Sequence, residues 1–278
     1  MLFRSAAAQP QAGFLDVGIV KVRPEKRSDF DAIIKKMVDA NRKNNGDTWI
    51  TSEVLYGEGN TVYYVSQRQN YAEVEKGFDA FMGALAKMAG GPAGVAKMFQ
   101  DFNNCVLSSR SELRRRRVDL SSNAFGDQAA LSKLVGESRW TRTVMVRVRP
   151  GHVGDYEQLA QTIRTARDRR PGAPVSVSQS VAGTQGTVFY ITTLAKSLSD
   201  FDTAPTPLPQ LLGQDGYQKY IKTTAESVLG TETIINRFLP ELSNPPEAIA
   251  AVAPDYWRPK PAAAPKPKAK AAEAPKTQ

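Results

Sequence analysis

Hydrophobic and polar positions along this chain fall into two periods, and the order of those periods repeats. Gly18-Ile19-Val20-Lys21-Val22-Arg23 alternates strictly, as a strand with two different faces does, and Pro24 stops it. Phe30, Ile33, Ile34, Met37 and Val38 then recur at helical spacing, behind a Ser28/Asp31 pair that predicts a capping box with a shortened acid. Asn44-Asn45-Gly46-Asp47 ends that helix. Trp49 to Leu55 reads as a second strand, Gly57 and Gly59-Asn60 as a turn, and Thr61 to Ser66 as a third strand. Helical spacing returns over residues 72–88 and 95–106, interrupted at Gly90-Gly91-Pro92 and taking in Cys105. A fourth strand is predicted from Ser111-Glu112-Leu113 into the arginines that follow.

The same order begins again at Trp140. Val20-Lys21-Val22-Arg23-Pro24 recurs as Val146-Arg147-Val148-Arg149-Pro150, and Thr61-Val62-Tyr63-Tyr64-Val65-Ser66 as Thr187-Val188-Phe189-Tyr190-Ile191-Thr192, both 126 residues on. Where Leu242-Ser243 matches Leu120-Ser121 the offset has fallen to 122. The chain is therefore predicted to be α+β, two ferredoxin-like βαββαβ repeats over 14–122 and 140–245 with a polar linker, 123–139, that holds a short helix. The prolines between Thr203 and Pro209 predict a late start, near Gly216-Tyr217, for the last long helix. Residues 246–278 end in a Pro/Ala/Lys run and read as a disordered tail. Residues 1–13 read as an arm, or as the remnant of a secretory leader whose apolar region is missing. The leader would place the protein in the periplasm or outside the cell, the arm in the cytoplasm.

This pattern resembles the dimeric α/β barrel superfamily, to which antibiotic-biosynthesis monooxygenases and stress-responsive barrel proteins belong. The resemblance rests on first strands ending Val22-Arg23-Pro24 and Val148-Arg149-Pro150-Gly151, on helices opening near Asp29-Phe30 and Asp155-Tyr156, and on the paired aromatic strands. It implies that the two repeats pair sheet to sheet as an intramolecular dimeric α/β barrel. It also implies, as one alternative, a cofactor-independent monooxygenase-like enzyme, in which Trp49 and Tyr64 hold an electron-rich aromatic substrate while a neighbouring polar group takes its proton.

Composition changes this picture little. The chain has 278 residues, 41% hydrophobic and 23% charged, with no apolar run long enough to span a bilayer. The net charge of +9 is partly local, in Arg114 to Arg117 and in the lysine-rich end, and on a strand only alternate arginines share a face, which argues against a nucleic-acid patch. The lysine-rich end could instead tether a non-catalytic interaction module to an acidic partner. A single cysteine permits no internal disulfide.

Candidate chemistry lies on the strands. If Val20, Val22, Val146 and Val148 face helices, then Lys21, Arg23, Arg147 and Arg149 turn toward the inter-repeat interior. There they would either grip an anion or pair with acids such as Glu53 and Glu112. Trp49, Tyr56, Tyr64, Trp140 and Tyr190 offer walls for a flat ligand, or plain core. The expected function is thus binding of a small anionic or aromatic molecule between the repeats. No metal site or cofactor is expected, because no His/Cys/acid cluster, P-loop or GxSxG elbow occurs, and the one histidine, His152, stands in a turn rather than on a pocket wall where a haem ligand would be needed.

Overall fold

The computed structural model describes residues 13–123, 127–203 and 206–259. Nearly all of the N-terminal arm or leader, and the lysine-rich end from 260, lie outside the described residues. The chain forms eight strands: β1 Phe14–Val22, β2 Ile50–Tyr56, β3 Thr61–Arg68, β4 Val106–Arg116, β5 Trp140–Val148, β6 Val175–Ala182, β7 Thr187–Ala195 and β8 Val228–Phe238. They close into one antiparallel barrel in the order β1-β3-β2-β8-β5-β7-β6-β4. This is the architecture that the resemblance to the dimeric α/β barrel superfamily implied. The first four strands run β4-β1-β3-β2 and the last four β8-β5-β7-β6, so the internal order is the same in both halves. β5 begins 126 residues after β1, and β8 begins 122 after β4.

Each half alone would leave two strand edges unpaired, a row of open backbone donors and acceptors. Pairing of β2 with β8 and of β4 with β6 satisfies all four. The β4–β6 seam needs a glycine. A Cβ on Gly183, which has φ of +86°, would stand 2.0 Å from the Ser111 carbonyl oxygen, so the β6–β7 turn can reach β4 only without a side chain there.

Helices α1 Arg27–Lys43, α2 Tyr71–Ala89 and α3 Pro92–Asn104 cover the outside of the first half. Val20, Val22 and Val62 of the sheet pack there on Phe30, Ile34, Met37 and Leu85. α5 Val153–Asp168 and α6 Leu208–Ser227 cover the second half, where Val146, Val148 and Phe189 pack on Tyr156. The opposite face of the same strands, Val17, Ile19, Val54, Tyr63 and Ile234, forms a separate cluster inside the barrel. Both strand faces are therefore buried, with helices on one side and the opposite wall on the other.

Four expectations are corrected. Ser28 caps nothing: α1 starts at Arg27, after Lys26, so Ser28 already lies inside the helix, and Asp31 pairs with Arg27 instead. Cys105 ends α3, and β4 starts immediately after it, earlier than Ser111. α6 starts at Leu208, because proline costs little in a first turn, and the break falls at Gly213 instead, at φ of +72°.

The fourth correction concerns the tail. Residues 246–259 are ordered: α7 Glu247–Ala250 and α8 Pro254–Trp257 pack with α4 Gln128–Glu137 of the linker over one end of the barrel. Trp257 is fully buried, donates from Nε1 to the Gly136 carbonyl at 2.9 Å, meets Tyr256 edge-on and packs at a tilt against Phe238. A stretch of small and proline residues hides this plug, since its anchoring falls on a single indole. Trp257→Ala is expected to lower unfolding free energy by about 3 kcal/mol or more in a urea titration, the cost of a deep aromatic truncation.

Candidate functional site

Strand parity decides what enters the barrel. On β4 the inward positions are Glu112, Arg114 and Arg116, so two members of the arginine run turn inward. Between them Arg115 faces out, 6.0 Å over the Phe14 ring, and Arg117 beyond them pairs with Asp119 and Glu157. Glu112 is 2% exposed. Its Oε2 accepts from Arg114 Nε at 2.9 Å, from Arg114 Nη2 at 2.6 Å and from the Tyr190 hydroxyl at 2.8 Å, and its Oε1 lies 3.2 Å from Arg110 Nε. The Arg114 guanidinium also covers the Tyr190 ring at 3.6 Å. Burial pushes the Tyr190 phenol above its ordinary pKa; Arg114 opposes this and the Glu112 carboxylate adds to it, so the phenol stays a donor.

This cluster separates two spaces. On the plugged side is a cavity of about 170 Å³ inside the barrel, reached by Arg114, Arg116, Tyr63, Tyr190, Thr143 and Asn236 among others. On the other side, at the open mouth, lies a pocket of about 540 Å³ that takes in Arg110, Glu112, Arg147, Tyr190 and Glu232.

Two groups that line the inner cavity stand out. Arg116 makes no side-chain ion pair among the described residues, and burial alone lowers its pKa, with no carboxylate near enough to oppose it. Asn236 is 5% exposed; it donates to Ser52 Oγ at 3.3 Å, but its Oδ1 has no hydrogen-bond partner among the described residues.

A second pocket, about 560 Å³, lies outside the barrel between the sheet of the first half and α1, α2 and α3. Trp49, Tyr64, Phe78, Phe81, Phe99 and Phe102 give it an aromatic lining. Trp49 donates to the Leu242 carbonyl at 2.9 Å and meets Phe81 edge-on. The Tyr64 hydroxyl is buried with no partner among the described residues, and burial raises its pKa. At one end Arg68 binds Asp47 at 2.6 and 2.7 Å; a Cβ on Gly77 would stand 2.5 Å from that guanidinium, so a side chain there would displace it. A third space, about 400 Å³, occupies the corresponding place under α5 and α6, with Tyr156 and Arg167 among its walls.

The residues singled out in the sequence divide among these places. Lys21 and Arg147 have the inward parity expected, but sit at the last turn of their strands: Lys21 pairs with Glu58, and the exposed Arg147 donates to the Gln185 carbonyl. Arg23 and Arg149 lie beyond the strand ends, where the Arg23 amide bonds Cys105 and Arg149 Nε donates to the Glu226 carbonyl at 3.0 Å. Their expected place inside the barrel is corrected: after β1 and β5 end at Val22 and Val148, parity no longer governs them. Tyr190 reaches the interior, and Trp49 and Tyr64 meet in the outer slot. Tyr56 is 61% exposed and walls nothing. Glu53 pairs with Arg27 and Arg237. His152 opens α5 and faces Asp155 at 3.0 Å on the surface. Sequence reasoning missed Arg116 and Asn236. The signal for Arg116 was the arginine run on an alternating strand; Asn236 had none.

Among the described residues no helix is long and apolar enough to cross a membrane, and no group of three or more metal-ligating side chains is gathered.

No protein-family model matches the sequence, and no curated protein matches it. Among solved structures the chain is similar to an anthrone oxidase-like protein, at 13% identity and TM-score 0.49 over 82% of this chain and 92% of that one. It is also similar to a chlorite dismutase from Candidatus Nitrospira defluvii, at 10% identity and TM-score 0.46 over 88% and 96%. A heme-binding protein from Thermus thermophilus matches at 11% identity and TM-score 0.44 over 84% and 93%. At these identities the likeness assigns no residue a role here.

The cluster makes a stability prediction. Glu112→Ala leaves the Arg114 charge buried without its acid and is expected to cost about 3–5 kcal/mol, whereas the double change Glu112→Leu with Arg114→Met is expected to cost less than that single one. Chemical denaturation of both variants checks it.

Proposed function

We propose that this chain is a fused pair of ferredoxin-like units that binds a small anion inside the barrel, between its halves. The observation that carries the reading is Arg116, an inward guanidinium with no acid beside it among the described residues. A charge turned into a low-dielectric interior must be compensated, and an anionic ligand supplies what the chain does not. Of the strand-end cations, Lys21 is neutralised by Glu58, whereas Arg147, which bonds a carbonyl, adds positive charge at the mouth that favours anions there. The Glu112–Arg114–Tyr190 cluster stands between mouth and cavity, satisfied within itself, and so leaves Arg116 as the group free to bind. Nothing in this arrangement supplies a nucleophile or a proton acceptor paired with one, and the reading is of a binding protein.

Monooxygenase-like chemistry without a cofactor is the second reading. It is favoured by the outer slot, where Trp49 and Tyr64 meet among phenylalanines and a buried phenol hydroxyl has no partner among the described residues.

The two readings separate by mutation. In native mass spectrometry with a panel of small carboxylates and inorganic oxyanions, the parent and Tyr64→Phe proteins are expected to retain one anion per chain, and Arg116→Met to retain at least tenfold less. Undiminished retention by Arg116→Met, or none by any of the three, contradicts the interior site.

A further inference from the structure

Arg116 and Asn236 are groups of opposite kinds, and they stand on opposite walls of the inner cavity. β4, which carries Arg116, and β8, which carries Asn236, are four places apart in the ring of eight strands. Arg116 offers only donors. The Asn236 Oδ1 offers only an acceptor, and it has no partner among the described residues.

The space between them is lined by apolar side chains and by hydroxyls, several of them already paired. Thr143 and Thr192 satisfy each other at 2.9 Å, and the Tyr190 hydroxyl is committed to Glu112. Tyr63, Val65 and Met145 add apolar and aromatic surface. A cavity of about 150 Å³ is enough for one benzene ring, and this one measures about 170 Å³.

From these features, and resting on the interior site proposed above, we infer that the ligand is a one-ring carboxylate bearing a hydrogen-bond donor at its far end, such as a hydroxyl or amine, with the carboxylate on Arg116 and the donor on Asn236. The ring fills the apolar middle. The acceptor at Asn236 gives selectivity, because an analogue without the donor leaves that buried carbonyl oxygen unpaired and gains nothing there.

Isothermal titration of the full chain with 4-hydroxybenzoate and with benzoate tests this. 4-Hydroxybenzoate is expected to bind about tenfold tighter than benzoate, the worth of one buried hydrogen bond. Asn236→Leu is expected to remove that preference while benzoate still binds, and Arg116→Met to weaken both acids at least tenfold; far-ultraviolet circular dichroism verifies that each variant is folded. Equal binding of the two acids, still dependent on Arg116, overturns the donor assignment and leaves the interior anion site standing. Binding of neither acid, or binding indifferent to Arg116→Met, overturns both.

Discussion

A charge that turns into a closed barrel has no water to fall back on, and the interior of this protein is arranged around that constraint. Glu112 meets it by taking bonds from Arg114 and Tyr190 and lying against Arg110. Two of those partners come from the same strand as Glu112, while Tyr190 comes from the other half of the chain. The cluster therefore also ties the halves together beside the β4–β6 seam, whose register shifts between Leu113 and Arg114. A local disruption of the backbone ladder is offset there by charged side-chain bonds in a dry environment, where such bonds are strong.

Arg116 breaks the pattern. It stands one inward position further along the same strand, past the reach of Glu112; it is partly buried, and no acid among the described residues offsets its desolvation. Core groups that fail the local rules of burial are most often found where a protein does something with them. Asn236, across the barrel, fails in the complementary sense. Two opposite deficits facing one enclosed space of molecular size are more informative than either alone, because a single ligand can satisfy both.

The sequence carried the architecture because architecture follows from periods. The Val-Lys-Val-Arg-Pro recurrence and the matched aromatic strands lie at one offset, and the observed strands keep it. Parity was equally readable: Val20 and Val22 do face helices, and Lys21 does take the barrel side. Depth was not readable. Alternation says which face a side chain takes and is silent on how far along the barrel axis it lies, so it does not separate the cations at the strand ends from the deeper Arg114 and Arg116. Asn236, Thr143 and Thr192 became neighbours only through closure of the ring, a contact that no local pattern encodes. The same holds for Trp257, whose partners Gly136 and Phe238 come from the linker and from β8.

The central claim is that Arg116 is held for a ligand at the expense of the stability of the chain by itself. Its most direct test is the unfolding free energy of Arg116→Met against the parent, in ligand-free protein and in a buffer of large, non-binding ions. The account predicts that the variant is the more stable of the two, since removing an uncompensated inward charge relieves a desolvation cost. A clear loss of stability would contradict it, by showing that the guanidinium already has the partners it needs.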